Sequence, residues 1–238
     1  MVQEQAFNNQ LSENDEYSDM TEVDDEQLRK EIDDEILAEK LNKRKASTKL
    51  AGLVLLVGAI VAWIAALQLL VDKLFLLQNP GATLGCDINP FISCGSVMMT
   101  WQASAFGIPN MAIGLAGFAI MGVVGSLMIS NVKLPQWFNW AALGGMIFAF
   151  GFIHFLAYSA IFIILALCPW CMVVWAMTAP MFFVKLANTV EENEWHKRYR
   201  GLTILRHWVV LTVLWYILVV TVIFVKFFQQ WMVMLGIG

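Results

Sequence analysis

From residue 50 onward the chain is a succession of long apolar runs broken by short polar stretches. The first run covers about Leu50 to Val71, enough for a helix across the roughly 30 Å hydrocarbon core of a bilayer. Its helix is predicted to continue past Asp72 and Lys73 through Leu77. The second runs from about Pro109 to Ile129. It is rich in small residues, Gly114, Gly117, Gly122 and Gly125, which let helices approach closely. The third extends from about Trp137 to Leu167, the fourth from Pro169 to about Leu186, and the fifth from about Leu202 to Val225. Between the first two spans lies one sizeable loop, 78–108, with turn signals at Asn79-Pro80-Gly81 and Asn89-Pro90. Within it Ser93 is placed to cap a short surface helix running to about Gln102, with Val97, Met98 and Trp101 on one face.

The polar residues divide the rest. Fourteen of the nineteen acids precede residue 40. Such a self-repelling, aromatic-poor tail is expected to be largely disordered through residue 47, with a weak helical pattern at Leu28, Ile32, Ile36, Leu37 and Leu41. The predicted organisation is therefore an acidic cytoplasmic tail at 1–47, a helical domain at 48–190, and a loop with a fifth span at 191–238. The tail is long and the first run lengthy, so a cleaved signal peptide is not the reading. Basic residues cluster before span one (Lys40, Lys43, Arg44, Lys45, Lys49), after span two (Lys133) and after span four (Lys185, Lys197, Arg198, Arg200, Arg206). All three clusters fall on one side, which the positive-inside rule makes cytoplasmic. The N-terminus is then cytoplasmic, and the 78–108 loop and the turn before span four lie outside a multi-pass plasma-membrane protein.

Composition agrees: 59% of the 238 residues are hydrophobic and 14% charged, far from the soluble norm. The net charge of −4 belongs to the tail, and no basic patch with interleaved aromatics points to nucleic acid. Chemistry concentrates in four cysteines, Cys86 and Cys94 in the loop, Cys168 and Cys171 at the head of span four. In Cys168-Pro169-Trp170-Cys171 the proline suits a first helical position, and the helix dipole favours a thiolate there. A thiolate is the attacking species in disulfide exchange. The four cysteines also admit a four-thiolate zinc site, or disulfides that only staple the loop. Exchange between the two pairs is expected to need loop motion, because a disulfide requires Cα atoms within about 7 Å.

Taken together, Cys86-Asp87, Ile92-Ser93-Cys94, Ser96-Val97, Phe106-Gly107, Pro109-Asn110 and the later Cys-x-x-Cys resemble the vitamin K epoxide reductase family, and its bacterial members more than its animal ones. The resemblance covers roughly residues 50–190. It implies an all-α membrane fold in which four helices surround a quinone, capped by the cysteine loop with its horizontal helix. It implies that Cys86 receives electrons from a thioredoxin-fold (DsbA-like) protein, that Cys94 passes them to Cys168, and that Cys171 faces the quinone. The resemblance also implies a quinone, menaquinone or ubiquinone, as the acceptor. Asn110 matches an asparagine that bonds a quinone carbonyl, Thr100 a hydroxyl position in the loop helix, and Phe106 belongs to the same motif. Trp175 stands where animal reductases carry tyrosine, and its indole N–H can only donate. A related oxidase class does the same job with the order of the cysteine pairs reversed. Many bacterial relatives carry a fused thioredoxin domain; the sequence ends at Gly238, so a separate partner is expected. Independently of the resemblance, His154 in mid-span is read chiefly as a neutral histidine bonded to a neighbouring helix, and Tyr158, one turn on, as a second pocket residue.

Overall fold

The computed structural model describes residues 2–132, 134–193, 205, 207–228 and 232, with side chains from Leu28 onward. Lys133 and the 194–204 stretch, on which part of the predicted orientation depends, lie outside the described residues. The chain divides into two units, 1–47 and 48–238, each taken by itself. α1 is Val2–Gln78. Its stretch before Thr48 is helical where the sequence predicts largely disorder. The physical reason is local: no Gly or Pro occurs before Gly52, and Glu, Lys, Gln, Leu and Ala are good helix formers. The stripe Leu28, Ile32, Ile36, Leu37 and Leu41 is exposed.

The second unit is all helix, with no strand among the described residues. After α1 come α2 (Cys94–Met98), a 3₁₀ turn (Trp101–Ser104), α3 (Asn110–Ile129), α4 (Gln136–Tyr158), α5 (Pro169–Glu192) and α6 (Trp208–Lys226). Five described helices are long and apolar enough to cross a membrane, so this is a multi-pass membrane protein. On α1, Ala51, Leu55, Ala59, Ala62 and Ala66 recur at helical spacing and are buried. They meet the glycines of α3 in antiparallel register. A Cβ on Gly114 would lie 3.7 Å from Ala66 Cβ, and one on Gly122 3.6 Å from Ala59 Cβ. One on Gly125 would sit 2.7 Å from Leu56 N and 2.8 Å from Gly52 O, so the two backbones touch there. Gly117 faces open space instead. α1 also receives α5, where Met181 fills the notch at Gly58.

α4 and α5 are joined by stacked Phe150 and Phe182, 4.2 Å between centroids. Near the α5 C-terminus, fully buried Lys185 donates to Asn139 Oδ1 (2.9 Å), and Asn139 Nδ2 donates to Glu192 Oε2 (3.3 Å). α6 is bound laterally by two polar contacts. Tyr216 Oη donates to Ala176 O at 2.5 Å, and Trp215 Nε1 donates to His154 Nε2 at 2.9 Å. His154 Nδ1 lies 2.6 Å from Phe150 O. The one arrangement that serves both bonds is a neutral ring with the proton on Nδ1, the interhelical histidine expected from the sequence.

Span three ends differently from its prediction. After Tyr158 the helix widens into a π-helical turn, Ser159–Ile164, and Leu165 reverses the chain with φ 58°. The predicted helix to Leu167 thus stops early, and Ala166-Leu167 enters α5 as extended chain. The loop helix is also shorter than predicted. It breaks after Met98, which turns Trp101 outward to 70% exposure while Val97 and Met98 face inward.

Candidate active site

The loop is pinned at its centre by backbone. Leu167 N donates to Phe91 O (2.8 Å), and Ser93 N donates to Leu167 O (3.0 Å). These two bonds fix the residues that follow each partner, Cys94 after Ser93 and Cys168 after Leu167, side by side. The Sγ atoms of Cys94 and Cys168 are 3.3 Å apart. Cys94 is simultaneously joined to Cys86, with Cα atoms 5.7 Å apart. The loop motion expected from the sequence is therefore unnecessary for the inner exchange. Two thiols, Cys168 and Cys171, are free. With Cys86 and Cys94 joined, the four sulfurs do not form a four-thiolate cluster in this structure.

Local chemistry holds this geometry. Asn89 Oδ1 accepts from Phe91 N and Ile92 N, closing the turn that delivers Phe91. Ser93 caps α2 by accepting from Ser96 N at 3.1 Å, as the sequence predicts. Asp87, next to Cys86, gathers the loop. Its Oδ1 accepts from Gly95 N (3.0 Å) and Ser93 Oγ (2.8 Å), and its Oδ2 from Leu84 N (2.9 Å). Partial burial pushes the Asp87 carboxyl up, but these hydrogen bonds outweigh it and hold it below its ordinary value.

Cys168 is 1% exposed and is the N-cap of α5, with Pro169 in the first turn. A hydrogen bond from the Cys171 thiol, opposed by burial and aided by the Cys171 and Trp170 N–H groups, lowers the Cys168 thiol below its ordinary value. Cys168 is thus the thiolate-favoured member of the pair, and it is the member against the loop. The dipole argument from sequence had not separated the two sulfurs this way, because it could not see which one the N–H groups of the first turn address.

Behind the pair opens a cavity of about 450 Å³, lined by both turn cysteines and otherwise mostly by apolar side chains of α1, α3, α4 and α5. It reaches from Cys168 to Phe138, in the first turn of α4. Asn110, Thr100 and Trp175 line it. Asn110 is held by the loop: its Nδ2 donates to Gln102 O (2.6 Å) and its Oδ1 accepts from Ala105 N (3.1 Å). One amide N–H is left for a ligand. Thr100 Oγ1 donates to Val97 O at 2.8 Å. Trp175 is buried one turn below Cys171.

Two expected pocket residues stand elsewhere. Phe106 is outside the lining, packed on Phe152 (5.3 Å) and Phe148 (6.1 Å), which do line it. Tyr158 is 58% exposed and stacks on Phe162. The helical turn gives the cavity to Leu156, Ser159 and Ala160 and directs Tyr158 to the opposite face. One residue was missed. Gln102 lines the cavity at 6% exposure, and its Oε1 has no hydrogen-bond partner among the described residues. The only sequence signal was a glutamine in an otherwise apolar stretch.

A family model described as the vitamin K epoxide reductase family matches residues 53–186. This is more than half of the chain and includes all four cysteines and the cavity-lining segments. A search of curated proteins found no match.

Proposed function

Since the chain belongs to the vitamin K epoxide reductase family, whose chemistry is disulfide and quinone redox exchange in the membrane, we propose that it is a quinone-dependent thiol oxidase serving a separate, extracytoplasmic thioredoxin-fold protein of the DsbA type. The observation that carries this reading is the 3.3 Å approach of a free, thiolate-favoured Cys168 to the sulfur of a closed Cys86–Cys94 disulfide, at the head of an apolar cavity.

The proposed sequence conserves electrons and protons. A donor thiolate attacks Cys86, forming a mixed disulfide and releasing Cys94. Cys94 attacks Cys168 of an oxidised Cys168–Cys171 pair, releasing Cys171. The donor's second thiol then resolves the mixed disulfide and frees Cys86. Cys86 closes on Cys94 and frees Cys168. The resulting dithiol passes two electrons and two protons to the quinone, yielding quinol and restoring the Cys168–Cys171 disulfide. In the proposed cycle, a closed Cys86–Cys94 pair beside free Cys168 and Cys171 is the arrangement that precedes quinone reduction. Cys171 is assigned the quinone side because it lies within the first turn of α5 on the cavity wall. The long apolar cavity suits a quinone ring with an isoprenoid tail, either menaquinone or ubiquinone, and Asn110, Thr100 and Trp175 suit the ring end.

The orientation is likewise proposed from the charge pattern, with cysteine pairs outside and N-terminus inside. A cysteine introduced at Ala82 should react with an impermeant thiol reagent in intact cells. One introduced in the 194–200 stretch should not. The function itself is tested anaerobically with purified protein, a quinone and a reduced thioredoxin-fold donor. One quinol per donor disulfide is expected, and Cys171→Ser should form none. Quinol formation without donor oxidation would overturn the reading.

A further inference from the structure

We propose that Lys73 is a positioning residue that sets the distance between Cys94 and Cys168. The inference rests on the exchange route proposed above. Lys73 lies on the face of α1 that carries Leu69 and Leu76, which pack with Cys94, Met98 and Cys168. It is only 8% exposed, an unusual place for a lysine unless its amine is satisfied. Its Nζ donates to Met98 O. Met98 is the last residue of α2, and Cys94 is the first.

That bond fills a carbonyl left without an intrahelical partner at a helix C-terminus, where a donor or a cation is favoured. The geometric consequence is larger than the bond. A five-residue helix is about 7.5 Å long and moves as one piece. Its N-terminal end is tied to Leu167 through Ser93 and to Asp87 through Gly95. Its C-terminal end is tied to α1 through Lys73. Released at one end, α2 can pivot about the Ser93–Leu167 bond, and Cys94 Sγ swings off the 3.3 Å contact. α1 thereby serves as the fixed wall against which the loop cysteine is held, a role no cysteine motif reveals.

The test uses the full chain with only Cys94 and Cys168 left, in the background Cys86→Ser plus Cys171→Ser. The equilibrium of the Cys94–Cys168 disulfide is read in glutathione buffers by maleimide mass shift. Lys73→Met, which keeps the apolar stem, should lower that equilibrium constant about tenfold, equivalent to about 30 mV. Lys73→Arg should restore it to within about threefold of the parent, since it returns a donor. The Cys168–Cys171 pair, measured in a Cys86→Ser plus Cys94→Ser background, should not move. An unchanged Cys94–Cys168 constant in Lys73→Met overturns the proposal. So does an equal shift in both pairs, which marks general loosening. Should Lys73→Met not accumulate, Lys73→Gln gives the same readout with a fall of about threefold expected from its shorter reach, and no fall overturns the proposal. Quinone plays no part in this measurement, so failure of quinone reduction in the parent protein would sink the functional reading separately.

Discussion

Asp87 offers the sharpest quantitative handle on the loop. Asp87→Ala removes the acceptor for Gly95 N, Leu84 N and Ser93 Oγ at once. Each bond is worth about 1 kcal/mol net, and the group is half-exposed, so water recovers part of the loss and about 2 kcal/mol is expected in all. That free energy now organises the loop so that Cys86 and Cys94 face each other. If it is lost from the ordered loop, the effective concentration of one thiol at the other falls roughly 30-fold. For a two-electron couple, this makes the Cys86–Cys94 potential about 45 mV less negative. Asp87→Asn keeps one carbonyl acceptor but neither the charge nor the second oxygen, so a shift of about 20 mV is expected. The assay is a redox titration of the loop pair by maleimide mass shift, with Cys168 and Cys171 both changed to Ser. The pH dependence supplies a second check. The Asp87 carboxyl is held below its ordinary value in the fold, so its contribution is complete above about pH 4–5 and is lost as pH falls through the folded value. An Asp87→Ala protein within about 10 mV of the parent would refute the assignment of Asp87 as the loop's organiser.

Three further outcomes follow from the same geometry. Cys168→Ser should leave Cys171 beside the quinone and give a quinone-dependent visible charge-transfer absorbance. The band should vanish on adding Cys171→Ser, and its appearance in Cys171→Ser alone would exchange the two roles. The Cys168 thiolate, followed by ultraviolet absorbance in the Cys86→Ser plus Cys94→Ser protein, should persist to lower pH than an ordinary thiol. Adding Cys171→Ala, which removes the leading cause of the depression, should move its midpoint upward. Gly125→Val places a side chain on Leu56 N and Gly52 O, so a loss of at least about 1–3 kcal/mol is expected, read as a lower melting temperature in detergent. Gly117→Ala, facing open space, should leave that temperature nearly unchanged.

Much of the fold was legible because hydrophobic run length maps directly onto membrane thickness. The five described spanning helices overlap the five runs, although the predicted start of the fifth, about Leu202, lies outside the described residues, and three of the four α3 glycines meet α1 as small residues should. The helix before Thr48 is not anticipated from the sequence, where repulsion among acids is weighed above helix propensity and the absence of any Gly or Pro. The end of span three was misjudged because a π turn and a left-handed Leu165 carry no residue signature; their sequence, Ser-Ala-Ile-Phe-Ile-Ile-Leu, reads as more helix. The site divides the same way. Cysteine spacing and the Pro at the head of α5 announced the chemistry. The contact between Cys94 and Cys168 depends on main-chain bonds from Phe91 and Ser93 to Leu167, and main-chain pairing is nearly blind to side-chain identity. Tyr158 failed because its face of the helix depends on where the neighbouring helices lie. Lys73 and Gln102 went unread because a lone polar residue in an apolar run gives no partner, and each acquires its meaning only from the loop folded over it.

We propose that Cys94, and not Cys86, hands over to Cys168, whose sulfur lies 3.3 Å away. The most direct measurement compares two proteins by non-reducing peptide mapping after mild oxidation. One keeps only Cys94 and Cys168, the other only Cys86 and Cys168. A Cys94–Cys168 disulfide is expected in nearly all molecules of the first and little or no intramolecular disulfide in the second. A Cys86–Cys168 disulfide forming as readily as Cys94–Cys168 would contradict it.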